Sequence, residues 1–174
     1  MRDFKVEQIL LSLLLLLLLL DNSTWWTTVS LDEFLSCPRN LANNRQTRML
    51  ANLSAIGCYD DDVASTSGYR DRMLSSAKLN LRAMAFFGLV EFQSETQRLF
   101  ENTFKVKFPE DFRQSRVTHA SRVDVTHRQL ERLAKVNGMD LELYEFAKQL
   151  FFLRLMRVSN QNMERVNRTA TGIH

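Results

Sequence analysis

A chain of 174 residues has room for one domain and a short leader. With 45% hydrophobic and 25% charged residues it can build a core, and 5 Gly with 2 Pro exclude collagen-like, Pro-rich and turn-dense all-β architectures. Two Cys exclude a disulfide scaffold and a four-Cys zinc site, while a net charge of +3 permits an anionic partner without demanding one.

Ile9 to Leu20 is a leucine run interrupted only by Ser12. About a dozen residues fall short of the roughly 20 that a spanning helix needs. They match the hydrophobic stretch of a signal peptide or a marginal signal anchor. Arg2 and Lys5 precede the run, but Asp3 and Glu7 offset them, so the orientation signal is weak. No small-residue cleavage site follows in Asp21 to Trp26. The run is read as routing the chain into the secretory pathway, cleaved or retained; a leucine tract without targeting value is the alternative. Sequons at Asn22, Asn52 and Asn167 agree with that route. Cys37 and Cys58 are then either paired in an oxidising lumen or two buried thiols.

Leu31 to Ser54 reads as helical, with Phe34, Leu35, Leu41, Met49, Leu50 and Leu53 apolar, broken at Pro38 and stopped at Gly57. Asp60 to Gly68 is acidic and small, hence a loop. A helix from about Arg70 to Ala83 carries Met73, Leu74, Ala77 and Leu81 on one stripe. The apolar run Met84 to Val90, with its aromatic pair and central Gly88, predicts a short buried strand. Phe92, Thr96, Leu99, Phe100 and Thr103 follow at helical spacing, ending near Phe104. Helix, buried strand, helix is the order found on the flank of a parallel α/β sheet. Phe108 to Asp124 has no period and reads as a long loop. Thr126 and Gln129 fit a capping box that opens a helix through Leu130, Leu133 and Val136, ended by Asn137-Gly138. Asp140 is expected to cap a last helix to about Val158, with Leu143, Phe146, Ala147, Leu150, Phe151 and Leu155 inward and a frayed tail from Ser159.

Nucleophile-elbow, zinc-protease, Cys-x-x-Cys, Walker and Rossmann patterns are all missing, and His119, His127 and His174 have no metal-ligand spacing. Neither a metal nor a nucleic-acid partner is expected. What stands out is a basic loop: Arg113, Arg116, His119, Arg122, Arg128 and Arg132, interleaved with Ser115, Thr118 and Ser121 and preceded by Phe112. Guanidinium forks, hydroxyls and a ring suit a phosphorylated nucleotide or a sulfated sugar, and the helix start near Thr126 offers N–H donors to an anion. A solvated basic surface is the plain alternative.

Cys37-Pro38-Arg39-Asn40-Leu41-Ala42-Asn43-Asn44-Arg45-Gln46-Thr47-Arg48-Met49-Leu50 on to Ser54, with Gly57-Cys58-Tyr59, closely resembles the C-terminal half of the heparan-sulfate 6-O-sulfotransferases. So does Ser76-Ala77-Lys78-Leu79-Asn80-Leu81-Arg82-Ala83-Met84-Ala85-Phe86-Phe87-Gly88-Leu89-Val90-Glu91-Phe92-Gln93, continuing through Thr96-Gln97 and Leu99-Phe100-Glu101 to Phe104. The likeness begins near Trp26 and fades after about Leu150. It implies an α/β, P-loop-like sulfotransferase fold, represented here mainly by its C-terminal, mostly helical half with one buried strand. It also implies a single-pass type II Golgi membrane enzyme with a lumenal domain. Such enzymes transfer sulfate from 3′-phosphoadenylyl sulfate (PAPS) to the 6-hydroxyl of glucosamine in heparan sulfate. A base takes the hydroxyl proton, and cationic groups stabilise the leaving phosphosulfate oxygen.

The resemblance divides the chain into a leader or anchor (1–24), the C-terminal part of a sulfotransferase domain (25–158) and a polar tail (159–174). The family's donor-cradling loop, its 3′-phosphate motif and its catalytic His lie N-terminal to the matched region, where the leucine run stands here. No catalytic residue is therefore assigned, and weak PAPS binding by this chain alone is expected. Val29 replaces a family Cys. By position, Phe112-Arg113-Gln114 and Thr118-His119-Ala120 look like the family's lid over the donor nucleotide. Phe112, Gln114, Thr118 and Ala120 keep its residue types; Arg113 and His119 depart from them. Phe112, Arg113, Gln114, Thr118 and His119 are thus the expected donor-binding residues. The alternative is a non-catalytic lumenal helical module that binds heparan sulfate or a protein through the basic loop.

Overall fold

A computed structural model describes residues 29–37, 40–57, 67–113 and 124–170. Seven helices are present among them: α1 (Leu31–Ser36), α2 (Arg45–Leu50), α3 (Leu53–Ile56), α4 (Tyr69–Ala83), α5 (Gln93–Phe104), α6 (His127–Val136) and α7 (Gly138–Ala170). The chain divides into two units, with boundaries inside α4 after Lys78 and inside α7 after Tyr144. No described helix is long and apolar enough to cross a membrane, and the leucine run lies outside the described residues.

In the first unit, both α1 and α6 start with a capping box. Ser30 Oγ accepts the Glu33 N–H at 3.2 Å while Glu33 accepts the Ser30 N–H at 2.8 Å. Thr126 and Gln129 exchange the same two bonds on α6, as their spacing predicts. Leu35, Ala42 and Leu133 form the buried centre between these helices, flanked by Leu31, Phe34, Val125, Leu130 and Val136. At its rim Arg132 donates to Asp32 at 2.6 Å and to Ser36 Oγ at 3.0 Å, and Gln129 donates to Asp32 at 3.0 Å.

The segment from Leu31 to Ser54 is helical only in pieces. Of its apolar residues, Leu41 and Met49 are 64% and 68% exposed, while Ala42 and Thr47 are buried. Asp140 explains the register. It sits in the first turn of α7, which starts at Gly138, so it does not cap that helix as expected. Its carboxylate accepts from Gln46 N at 3.1 Å, Thr47 N at 2.7 Å and Thr47 Oγ1 at 2.6 Å, and so caps α2. Asn44 returns the bond: its Oδ1 accepts the Met139 and Asp140 N–H groups at 2.8 and 3.2 Å. Its Nδ2 donates to Val136 O at 2.8 Å, and its own N–H reaches Asn137 Oδ1 at 2.9 Å. Asn44 does this from a left-handed backbone (φ 49°), a conformation asparagine tolerates better than most residues.

The second unit corrects the expected buried strand. Among the described residues there is no strand, and Met84 to Phe92 runs as irregular chain. A strand needs a ladder partner, and here the backbone is satisfied otherwise. Thr96 Oγ1 accepts from Leu89 N and donates to Leu89 O, each at 3.1 Å, and Phe92 N closes a turn on Leu89 O at 3.0 Å. Gly88 is needed for close approach: a Cβ there would meet Thr96 Cγ2 at 2.3 Å. Phe86 and Phe87 are half-buried, and Val90 is exposed. The α4 stripe stands as read, with Met73, Leu74, Ala77 and Leu81 buried; on the stripe that follows, Leu99 is buried, Phe92, Thr96 and Phe100 are half-buried, and Thr103 is exposed. Past Ser159 α7 continues as helix to Ala170, where a frayed tail was expected.

Two substitutions test these contacts by chemical denaturation. Asp140→Ala should cost about 1–3 kcal/mol by stripping α2 of a charged cap. Gly88→Ala should cost about 1–3 kcal/mol by overpacking against Thr96. Adding Thr96→Ser, which removes the clashing methyl and keeps the hydroxyl, should recover most of the second loss.

Candidate functional site

Of the five expected donor-binding residues, the structure describes Phe112 and Arg113; Gln114, Thr118 and His119 lie outside the described residues. What it adds is how Phe112 and Arg113 are held. Helix α5 ends with Lys105 in the left-handed region (φ 58°), which turns the chain back along the helix. Two polar side chains one turn apart on α5, Gln97 and Glu101, then bind the returning backbone. Gln97 is 6% exposed and fully used: its Oε1 accepts the Phe112 N–H at 2.7 Å, and its Nε2 donates to Glu110 O and to Glu101 Oε1, each at 3.2 Å. Glu101 accepts from the Phe108 N–H and from Lys107 Nζ, both at 2.9 Å.

Rings reinforce the same path. Phe86 packs edge-on to Phe100 at 5.0 Å, Phe100 contacts Phe108 at 5.4 Å, and Phe108 contacts Phe112 at 4.7 Å between centroids. Each such pair contributes about 0.5–1.5 kcal/mol beyond area burial. Phe112 ends this ladder half-buried, with Arg113 exposed beside it. The ring and guanidinium are thereby presented on a fixed backbone.

Gln97 and Glu101 carry no functional expectation from the sequence, although both fall inside the segment that resembles the sulfotransferases. A polar pair at i and i+4 beside aromatic positions was the available signal. Elsewhere in the basic loop, Arg132 is committed to Asp32, and the first turn of α6 already gives its Gln129 N–H to Thr126. Arg128 and His127 are exposed, while Arg116 and Arg122 lie outside the described residues. No cluster of His, Cys, Asp and Glu able to hold a metal is present among the described residues. Cys37 is exposed with a free thiol, and Cys58 lies outside the described residues. Asn52, an exposed sequon residue, is the N-cap of α3, and Asn167 lies in α7; Asn22 is outside the described residues.

The Lys107 ammonium, the Phe108 N–H and the Gln97 amide together hold the Glu101 carboxyl down to about 2. A lowered folded value contributes stability that is complete above the ordinary carboxylate value and is lost as pH falls through the folded one. The loop should therefore stay docked at neutral pH and loosen between about pH 4.5 and 2, with the Glu101 carboxyl signal titrating near 2 by NMR. Gln97→Ala should accelerate hydrogen exchange of the Phe112 amide about tenfold or more at neutral pH, as expected for loss of a buried bond.

A profile of the sulfotransferase family matches residues 22–147. Over 132 residues the chain is 50% identical to heparan-sulfate 6-O-sulfotransferase 2 of Danio rerio, an alignment covering 76% of this chain and 28% of that protein. It is 51% identical over 123 residues to heparan-sulfate 6-O-sulfotransferase 3 of Homo sapiens, covering 71% and 26%. With human heparan-sulfate 6-O-sulfotransferase 1 the identity is 50% over 122 residues, covering 70% and 30%. The chain thus aligns with less than a third of each of these three relatives. The profile match over residues 22–147 includes the two quoted segments and the helix that fixes Phe112, and the chain belongs to the sulfotransferase family.

Proposed function

We propose that this chain carries the donor-covering part of a heparan-sulfate 6-O-sulfotransferase, an enzyme that moves sulfate from PAPS to the 6-hydroxyl of glucosamine. The observation that carries this reading is about 50% identity, over 122–132 residues, to proteins bearing that name. The α/β, P-loop-like sheet of such an enzyme then falls in the sequence that these relatives carry outside the alignment. No residue of this chain is assigned as the base.

The side chains described suit a nucleotide donor by their chemistry. The half-exposed Phe112 ring offers a face for stacking, and the exposed Arg113 guanidinium offers paired donors to a phosphate. Bound PAPS would supply the sulfuryl group, with adenosine 3′,5′-bisphosphate as its leaving group. Gln97 and Glu101 act one step back, as positioning residues: by holding the Phe112 and Phe108 N–H groups they fix where ring and guanidinium stand before any ligand arrives. That ordering costs entropy in the free protein and lowers the cost of binding.

The same reading places the chain in the Golgi lumen behind its leucine run, as a type II protein. Asn52 suits glycosylation there: its Oδ1 accepts the Ala55 N–H at 3.3 Å, and the residue is exposed.

The test is NMR mapping of adenosine 3′,5′-bisphosphate, the donor's product, on the 174-residue chain. Weak binding is expected, with shifts concentrated at the Phe112 and Arg113 amides and abolished by Arg113→Ala. Shifts elsewhere with these two amides unmoved would refute the assignment.

A further inference from the structure

On the second unit, α7 and the end of α4 border an open cleft of about 490 Å³ lined by Arg82, Phe146, Gln149, Leu150, Leu153, Arg154 and Arg157. That volume lies within the roughly 300–1,000 Å³ typical of ligand clefts. The α7 residues fall at i, i+3, i+4, i+7, i+8 and i+11, a single helix face. Three arginines line it, and none of the lining residues is acidic. Concentrating like charges this way is unfavourable unless an anion joins them.

Arg154 is the most telling of the three. One of its nitrogens, Nη2, donates to Arg82 O at 2.8 Å, satisfying a carbonyl in the last turn of α4, while the guanidinium lies over the Phe87 ring at 5.1 Å. Its other terminal nitrogen, Nη1, is buried without a hydrogen-bond partner. A buried donor left unmade costs free energy and calls for an explanation. Burial first, and the Arg157 charge second, lower the affinity of Arg154 for its proton. An anion in the cleft would offset the repulsion between Arg154 and Arg157.

We propose that this cleft binds the sulfate groups of a sulfated polysaccharide, with Arg82, Arg154 and Arg157 as its anchors. Guanidinium forks match the oxygens of sulfate as they do those of phosphate and carboxylate. Arg82 sits over the Phe146 ring at 5.3 Å, which leaves that face unavailable to a stacking base and disfavours a nucleic acid. Gln149 adds amide groups suited to sugar hydroxyls. The choice of polysaccharide over an acidic peptide rests on the heparan-sulfate reading above; the cleft itself rests on its own geometry. It shares no residue with the Phe112–Arg113 loop.

Fluorescence titration of the full chain with labelled heparin oligosaccharide tests this. Arg82→Gln with Arg157→Gln should weaken binding about tenfold or more, and Arg157→Glu alone, at an exposed position, should do the same without touching α4. Lys148→Gln, on α7 but outside the cleft, should change little, and an unsulfated heparosan chain should not compete. Equal losses from Lys148→Gln, unaltered affinity in both arginine variants, or displacement by polyglutamate at matched charge would each overturn the proposal. Nucleotide shifts at Phe112 and Arg113 should persist in Arg157→Glu. If heparin binding follows the arginines while those nucleotide shifts fail to appear, the cleft stands and the donor-loop reading falls.

Discussion

The first unit depends on a pair of helix starts that cap one another. Helices of six and four residues, such as α2 and α3, cannot sustain themselves by propensity, because nucleation fixes several residues for each bond gained. Helix α2 exists because a carboxylate from another helix sits on its N-terminus, where the free N–H groups and the macrodipole favour negative charge. The helix that supplies Asp140 receives Asn44 in return. Two segments more than ninety positions apart in sequence thus satisfy each other's orphan donors. Thr47, with no exposure at all, is placed by the same carboxylate through its hydroxyl, and the buried Asn137 amide, accepting from Asn44 N and donating to Leu133 O, closes the junction of α6 and α7.

The second unit meets a different requirement. Its irregular stretch between α4 and α5 has no ladder to spend its backbone groups on, so side chains do that work. Thr96 serves the Leu89 N–H and C=O together, and Gly88 lets that threonine come near enough. Rings then supply the cohesion that a sheet face would. Phe86 joins Phe100, Phe104, Phe108 and Phe112 on one side, and Phe87 and Phe92 meet Phe151 and Phe152 on the other. Consecutive residues Phe86 and Phe87 thereby feed two separate aromatic groups, which a strand buried on both faces would also do. The two arrangements give the same apolar pattern in sequence.

That coincidence marks where sequence reasoning stops. Helices whose evidence is local were legible: the stripe Met73, Leu74, Ala77, Leu81, the Thr126–Gln129 box, and the extent of α5 all follow from spacing within one element. The Ser30–Glu33 box was equally local and simply went unread. Asp140 looked like an N-cap because a capping residue's type says nothing about which helix it serves. Arg132 counted toward a basic loop until Asp32, exactly one hundred positions away, proved to be its partner. The misreadings of Asp140 and Arg132 both involve contacts of long sequence separation. For the candidate site the sequence offered Phe112 and Arg113 through resemblance, and the two side chains that hold them, Gln97 and Glu101, only as unexplained matches.

Arginine partners separate framework from site across this chain. Arg132 is held by Asp32 and Ser36, and Arg70 by Glu142. Both pairs are partly exposed, so each contributes geometry more than free energy. Arg82, Arg154 and Arg157 line a cleft without a carboxylate, and the one bond that holds Arg154 there goes to a neutral carbonyl. A neutral acceptor orients a guanidinium and leaves its charge uncompensated. Had the arginines served only to tie α7 to α4, one of them and a facing glutamate would have sufficed. The charge left over is what an anionic polymer would neutralise; the continuous 33-residue α7 keeps Arg154 and Arg157 in fixed register, and the Arg154 bond to the Arg82 carbonyl ties them to α4.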